Sequence, residues 1–157
     1  MSEFKMKKIK NLLYKDIKHV IEESKEEGFL FLERLIHDYQ NDTNTFNKLG
    51  EALYGVFNRE GLLVAIGGLN IDPFANRELV GRLRRYYVLK EYRRLGLGKQ
   101  LLTKIIEDAK NHFHVLVLYT DTEQADKFYT SCGFTKEKKF PKSTHFLNIK
   151  ESPSIDK

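Results

Sequence analysis

Residues 86 to 105, YYVLKEYRRLGLGKQLLTKI, change character twice in one short stretch. Tyr86-Tyr87-Val88-Leu89 is a strand-like run, followed by a charged turn. Arg93-Arg94-Leu95-Gly96-Leu97-Gly98 comes next. A helix follows, with Leu101, Leu102, Ile105, Ile106 and Ala109 on its apolar face. Glycines at 96 and 98 let the backbone approach a ligand with no Cβ in the way. The first amides of the helix have no partner inside it and carry partial positive charge, which suits a phosphate. Arg93, Arg94 and Lys99 add full charges. The stretch reads as a cradle for a pyrophosphate.

Two familiar phosphate loops are excluded. A Walker A loop needs Gly-Lys followed by Ser or Thr and a glycine five residues earlier; here Gln100 follows Lys99, and Arg93 stands at the earlier position. A dinucleotide fingerprint needs a third glycine where this chain has Leu101. The pattern that fits is Arg/Gln-x-x-Gly-x-Gly/Ala, with Arg93, Gly96 and Gly98 in register. It resembles the acyl-CoA loop of the GNAT superfamily of N-acetyltransferases. A second stretch, ADKFYTSCGF at 125 to 134, resembles that family's Ala-x-x-Phe/Leu-Tyr-x-x-x-Gly-Phe segment. One helix and one strand separate the two. The resemblance spans roughly residues 50 to 149. It includes Leu83-Arg84-Arg85-Tyr86-Tyr87-Val88 before the cradle and Thr144-His145-Phe146-Leu147 near the end.

The periodicities agree with such a fold. Residues 4 to 10 read as a strand with Phe4, Met6 and Ile9 as its apolar set. Leu13, Ile17, Val20, Ile21 and Ser24 share a helical face, and Leu32, Leu35, Ile36 and Tyr39 a second one. Residues 52–57, 62–71 and 79–89 read as strands, with a hairpin turn at Asn58 to Gly61. His114 to Tyr119 is a strand reached by a helical crossover, so it is expected to lie parallel to the strand before the cradle. Thr120 or Asp121 is expected to cap the next helix and Gly133 to end it. Phe134 to Phe140 and Thr144 to Ile149 read as the last strands. We expect one domain over 1–150, of α/β (α+β) class. The resemblance implies a mixed, mostly antiparallel sheet of six to seven strands with helices on both faces. It implies a splay between the strands ending near Leu89 and Tyr119. Residues 151–157 are expected to be a disordered tail.

The resemblance also implies chemistry. Acetyl-CoA is the expected cosubstrate, with its pantetheine arm in the splay. Its pyrophosphate is expected on the amides of Arg94, Leu95, Gly96, Leu97, Gly98 and Lys99, beside Arg93; Thr122 and Phe128 complete the expected cofactor contacts. Val88 or Leu89 is expected to give a backbone amide to the thioester oxygen, Val88 being the oxyanion donor. Tyr129 is expected to act as general acid. Its phenol, pKa about 10, can hydrogen-bond or protonate a departing thiolate of pKa about 8.5 without large tuning. A primary amine, on a small molecule or peptide, is expected to attack directly in a ternary complex. A catalytically silent acyl-CoA-binding module of the same fold is the competing reading. A homodimer is compatible with either.

Many family members carry Glu four residues before the position of Val88, where it can receive the amine's proton. Arg84 stands there in this chain. The remaining candidates for that role are Glu51, Asp72, Glu78, His145 and a water chain. Arg82, Arg84 and Arg85 either meet an acidic group on the substrate or pair with neighbouring acids.

Composition limits the alternatives. Between Arg82 and Lys104 there are eight Lys or Arg residues and one acid, Glu91. This charge surrounds a glycine turn and does not form a long stripe interleaved with aromatics, which disfavours nucleic acid. One cysteine, Cys132, excludes an intrachain disulfide and fits a reducing cytosol. The histidines lack metal-ligand spacing. No apolar run approaches the ~20 residues of a membrane span. The basic start has no apolar core after it and does not read as a secretory signal. A cytoplasmic enzyme without a metal is the expectation.

Overall fold

The switch to a two-residue period after residue 51 produces the centre of the molecule, and the helical stretches around it supply its two coats. In the computed structural model, which describes residues 3–75 and 79–150, the elements run in this order. β1 (Lys5–Lys8), α1 (Tyr14–Glu26) and α2 (Phe31–Gln40) come first. β2 (Ala52–Phe57), β3 (Leu63–Ile71) and β4 (Val80–Val88) follow. Then come α3 (Leu97–Ala109), β5 (Val115–Leu118), α4 (Glu123–Ser131), β6 (Thr135–Lys136) and β7 (His145–Asn148). The strands form one sheet in the order β1-β2-β3-β4-β5-β7-β6. All neighbours are antiparallel except β4 and β5, which are parallel as the helical crossover requires.

β3 is buried along almost its whole length, as expected of a central strand covered on both sides. Successive residues point to opposite faces, and two adjacent glycines of β3 show what lies on each. A Cβ at Gly67 would strike Tyr86 and Ile105 of α3; one at Gly68 would strike the ring of Phe46, from the segment after α2. Thus α3 covers one face, and α1, α2 and the following loop cover the other. Helix α4 joins the α3 side through Phe128 and Tyr129, whose rings both lie near Tyr86.

Several local expectations shift. β1 is an edge strand exposed at every position, Met6 included; only its flanks, Phe4 and Ile9, pack against the core. Three lysines on that edge discourage further pairing. Leu13 is exposed and precedes α1, while Leu12 enters the core in its place. Helix α4 starts later than expected: its cap is Thr122, whose hydroxyl accepts from Ala125 N at 3.1 Å. Thr120 is held in the extended segment by Thr144, so it is not free to cap. The strand expected over 134–140 is only two residues long. Gly133 ends α4 at φ +102°, as expected. The tail expectation for 151–157 lies outside the described residues.

Candidate active site

The parallel pairing of β4 with β5 covers only Val80–Val115, Gly81–Leu116 and Arg82–Val117. Beyond Arg82 the two strands separate, while β4 remains paired with β3 up to Val88. The register on the β3 side slips between Ile66 and Gly68, where Arg85 takes φ +58°. One extra residue on β4 therefore bulges opposite Gly67, and a bulge bends a strand away from its neighbour. This opens the expected splay.

The splay exposes one edge of β4, and ladder parity decides which groups face it. Leu89 N donates to Val64 O at 2.9 Å, so the Leu89 amide is spent on β3. In an antiparallel ladder the next residue turns its N–H the other way. Val88 therefore directs its amide into the gap, which separates the two amides left open by sequence. The Val88 carbonyl is held by Arg93 Nε at 2.8 Å.

The turn after β4 leaves a row of donors unused. Among the described residues, none of the amides of residues 94 to 99 finds a protein acceptor; the first amide satisfied again is Gln100 N, on Gly96 O at 3.0 Å. Arg94 and Gly96 have φ +68° and +81°, and such left-handed steps curl successive amides into an anion-binding concavity. Arg94, Leu95, Gly96 and Lys99 are exposed; Leu97 anchors the helix start in the core.

Arg93 has a different position from its two basic neighbours. Its guanidinium makes bonds to both Glu27 carboxylate oxygens, at 2.6 and 3.2 Å, besides that to Val88 O, and it lies over the Tyr87 ring. The Arg93 hydrogen bond holds the Glu27 carboxyl below the usual carboxylate range. The Tyr87 hydroxyl is shared between Glu23, at 2.8 Å, and Glu27. Arg93 is thus a strut from α1 to the end of β4.

Gly98, Val88 and Phe128 converge. A Cβ built on Gly98 lies 3.5 Å from both Val88 Cγ2 and Phe128 Cζ. The Tyr86 hydroxyl donates to Gly98 O and fixes the helix start against β4. Tyr129 is 8% exposed and stacks edgewise on Tyr86, Phe128 and Phe134. Among the described residues its hydroxyl has no hydrogen-bond partner, and no fully buried side-chain oxygen is left without one, so this hydroxyl meets the surface. Burial, and secondarily the Cys132 thiol, push its pKa well up. The phenol stays protonated at neutral pH and is available as a donor. The Thr122 hydroxyl, by contrast, is occupied as the α4 cap.

On the other face, most polar groups are committed. Asp72 accepts from Arg82 Nε at 2.7 Å and from the amides of Phe74 and Ala75. Arg82 also donates to Lys142 O and Pro141 O, and both partners of this ion pair are buried. Glu51 accepts from Ile71 N and Lys48 N. Back on the α4 side, beside the Tyr129 ring, His145 donates through Nε2 to Asp126 at 2.7 Å, leaving Nδ1 to accept from the Thr144 hydroxyl at 2.8 Å. That bond to His145 is the main reason the Asp126 carboxyl is lowered. Of the candidate proton acceptors, Glu51, Asp72 and His145 all have structural tasks, and Glu78 lies outside the described residues. Arg85 sits 3.7 Å from Asp38, and burial pushes it down to about 10. Sequence reasoning missed the Arg93 strut and the Asp72 clamp; both join segments with no local pattern between them. Among the described residues, no group of three or more His, Cys, Asp or Glu could hold a metal ion, and no helix is long and apolar enough to cross a membrane.

Comparison with known proteins agrees with this geometry. The family model described as Acetyltransferase (GNAT) family matches residues 15–134. A crystal structure from Exiguobacterium sp. 255-15, provisionally titled an acetyltransferase, is 29% identical with a TM-score of 0.81, covering 94% of each chain. A GNAT-family acetyltransferase of Staphylococcus aureus Mu50 is 24% identical with a TM-score of 0.67, covering 94% of this chain and 99% of its own. The Salmonella typhimurium protein yncA, solved with acetyl-CoA, shares the fold at 16% identity and TM-score 0.67, over 98% of each chain.

Proposed function

The chain belongs to the GNAT acetyltransferase family, and from that premise we propose that it transfers an acetyl group from acetyl-CoA to a primary amine by direct attack in a ternary complex. The observation that carries this reading is the run of unused amides at residues 94 to 99, at the mouth of a gap that receives one free strand amide and is flanked by the Tyr129 ring, set between Tyr86 and His145. That combination suits a pyrophosphate attached to a thioester. Acetyl-CoA, which is bound in the yncA structure, supplies the acyl carbon.

The protein's residues divide the work. The amides of 94 to 99, with Arg94 and Lys99, hold the pyrophosphate. Arg93 acts indirectly, fixing the Val88 peptide through its carbonyl. The Val88 amide donates to the thioester oxygen as charge builds there. Phe128 closes the wall beside Gly98. As the new C–N bond forms and the C–S bond breaks, Tyr129 gives its proton to sulfur and regains one from solvent. Among the described residues the candidate acceptors Glu51, Asp72 and His145 are engaged elsewhere, so the acceptor's proton leaves to water in this reading.

Acetyl-CoA with a panel of amines, polyamines, amino acids and peptides, followed by thiol release, tests this reading. Release of CoA that requires the amine and yields its N-acetyl derivative is the expected result; tight CoA binding without turnover for any amine points to a silent binding module. Across a series of amines, kcat/KM is expected to rise with pH up to each amine's own pKa. A shared limb near the carboxylate range would instead assign an enzyme base.

A further inference from the structure

Three arginines stand near the bulge of β4, and the fold treats them differently. Arg82 is fully engaged, by Asp72 and by two carbonyls of the 141–142 turn. Arg85, the bulged residue, leans on Asp38. Arg84 is half-buried and, among the described residues, has neither a hydrogen bond nor an ion pair. No fully buried side-chain nitrogen among these residues is left without a partner, so the unpaired donors of this half-buried guanidinium reach the surface and are open to a ligand. The acids near it are already taken: Asp72 by Arg82, Glu51 by two main-chain amides, Asp38 by Arg85. The neutral polar side chains are closed as well. Asn44 and Asn70 donate to one another, at 2.9 and 3.0 Å.

The location matters as much as the missing partner. Arg84 shares the Arg82 face of β4 by alternation, the face of α2 and Phe46 and not that of α3. The last β4–β5 pair is Arg82–Val117, so Arg84 is the first residue on this face past the end of the zipped sheet. The cradle, Phe128 and Tyr129 lie on the opposite face of the same gap. A molecule entering from the α2 side to meet the thioester passes Arg84. The cross-strand neighbour of Arg84 is Gly68, which has no side chain to fill the space.

Resting on the acetyltransferase reading above, we propose that the acceptor amine carries a compact oxyanion, and that Arg84 is the residue that receives it. A planar guanidinium offers two parallel N–H bonds to a carboxylate or a phosphorus oxyanion, which fixes direction as well as distance. The amine then lies on the thioester side of the bound anion. Arg84 is a specificity residue in this account, touching substrate away from the reacting atoms. It takes the place on β4 where a carboxylate base would repel such a substrate.

The test uses ω-amino carboxylates of increasing chain length, each compared with its carboxamide and with the matching ω-amino phosphonate. Thiol release gives kcat/KM for wild type, Arg84→Gln and Arg84→Lys, and calorimetry gives CoA affinity and binding of the same compounds in the presence of CoA. For at least one chain length an oxyanion-bearing amine is expected to exceed its amide by about ten- to a hundredfold in kcat/KM, mainly through KM. Arg84→Gln removes that ratio, Arg84→Lys keeps part of it, and CoA affinity does not move. Carboxylate and phosphonate arms identify which oxyanion is read. A wild type that prefers the amides, or a ratio that survives in Arg84→Gln, overturns the proposal while leaving the acetyltransferase reading intact. If no amine turns over, Arg84-dependent binding of the oxyanion compounds supports the anion site and overturns the transfer reading; absence of binding overturns both. Should Arg84→Gln fail to fold, the Arg84→Lys ratio decides.

Discussion

On the α3 and α4 side of the sheet the groups poised for a ligand are mostly main chain: six consecutive amides, the Val88 N–H, and glycines that keep side chains away. On the α2 side the polar groups are side chains brought from separate parts of the chain, with Asp38, Asn44, Asn70, Asp72, Arg82 and Arg85 paired among themselves and Arg84 left over. The first kind of site is set by local conformation and needs few particular residues. The second is set by tertiary packing, and each polar group in it must find a partner or wait for one. A main-chain site therefore tolerates side-chain changes that avoid its concave surface. A side-chain site loses either stability or specificity with each substitution, depending on whether the residue is paired within the protein or with the substrate.

The largest effect that separates these behaviours is expected at Asp72. Asp72→Ala leaves the buried Arg82 cation with only two carbonyls and removes the acceptor for two loop amides. Breaking a buried pair from one side typically costs about 3–5 kcal/mol. Urea unfolding is expected to show a loss of this size, while exchange of both partners for apolar residues of similar volume costs far less. A loss below about 1 kcal/mol with a selective fall in kcat would return Asp72 to the candidate proton acceptors.

The next effect is on chemistry alone. Tyr129→Phe keeps the ring contacts with Tyr86, Phe128 and Phe134 and removes an oxygen that has no partner among the described residues. Stability and CoA affinity are expected to survive. General acid catalysis contributes roughly 10²- to 10⁴-fold, so the single-turnover rate should fall on the order of a hundredfold. Wild-type single turnover in this variant would reduce Tyr129 to a core residue.

The same contrast explains what the sequence could disclose. The cradle lies within one short stretch, so its spacing and helical period were legible, as were Gly133 and the parallel β5. That the Leu89 amide is spent on β3 while the Val88 amide faces the gap was not legible, because it depends on ladder parity beside a bulge at Arg85 that no local pattern announces. The Arg-rich strand showed its charge but not its division of labour. Arg82 is answered by Asp72 and by carbonyls at 141 and 142, Arg85 by α2, and Arg84 by neither, and only the assembled fold reveals this. Likewise the shift of the α4 cap from Thr120 to Thr122 is visible only in the fold, because Thr120 is pinned by Thr144.

The smallest effects are expected within the cradle, where the two glycines serve different purposes. Gly96 has φ +81° and open space around its Cβ position, the nearest atom being a Gln100 nitrogen at 3.9 Å. Its requirement is conformational: an alanine there is strained whatever the room, and Gly96→Ala should cost about 1 kcal/mol of stability. Gly98 has no left-handed φ, and its added Cβ would make ordinary contacts at 3.5 Å with Val88 and Phe128. Nothing in the free protein demands glycine at 98. Alanine is the better helix former, so Gly98→Ala should leave stability unchanged or raise it by up to about 1 kcal/mol. If the pyrophosphate lies against the amides of 94 to 99, that same methyl group intrudes on the ligand, and CoA affinity should fall about tenfold or more. Thermal unfolding with and without CoA reads both quantities at once: Gly96→Ala lowers both melting points together, while Gly98→Ala preserves the first and shrinks the shift that CoA produces. A Gly98→Ala protein with the full wild-type shift would mean that the phosphates bind elsewhere, since no demand of the fold would then explain a glycine at that position.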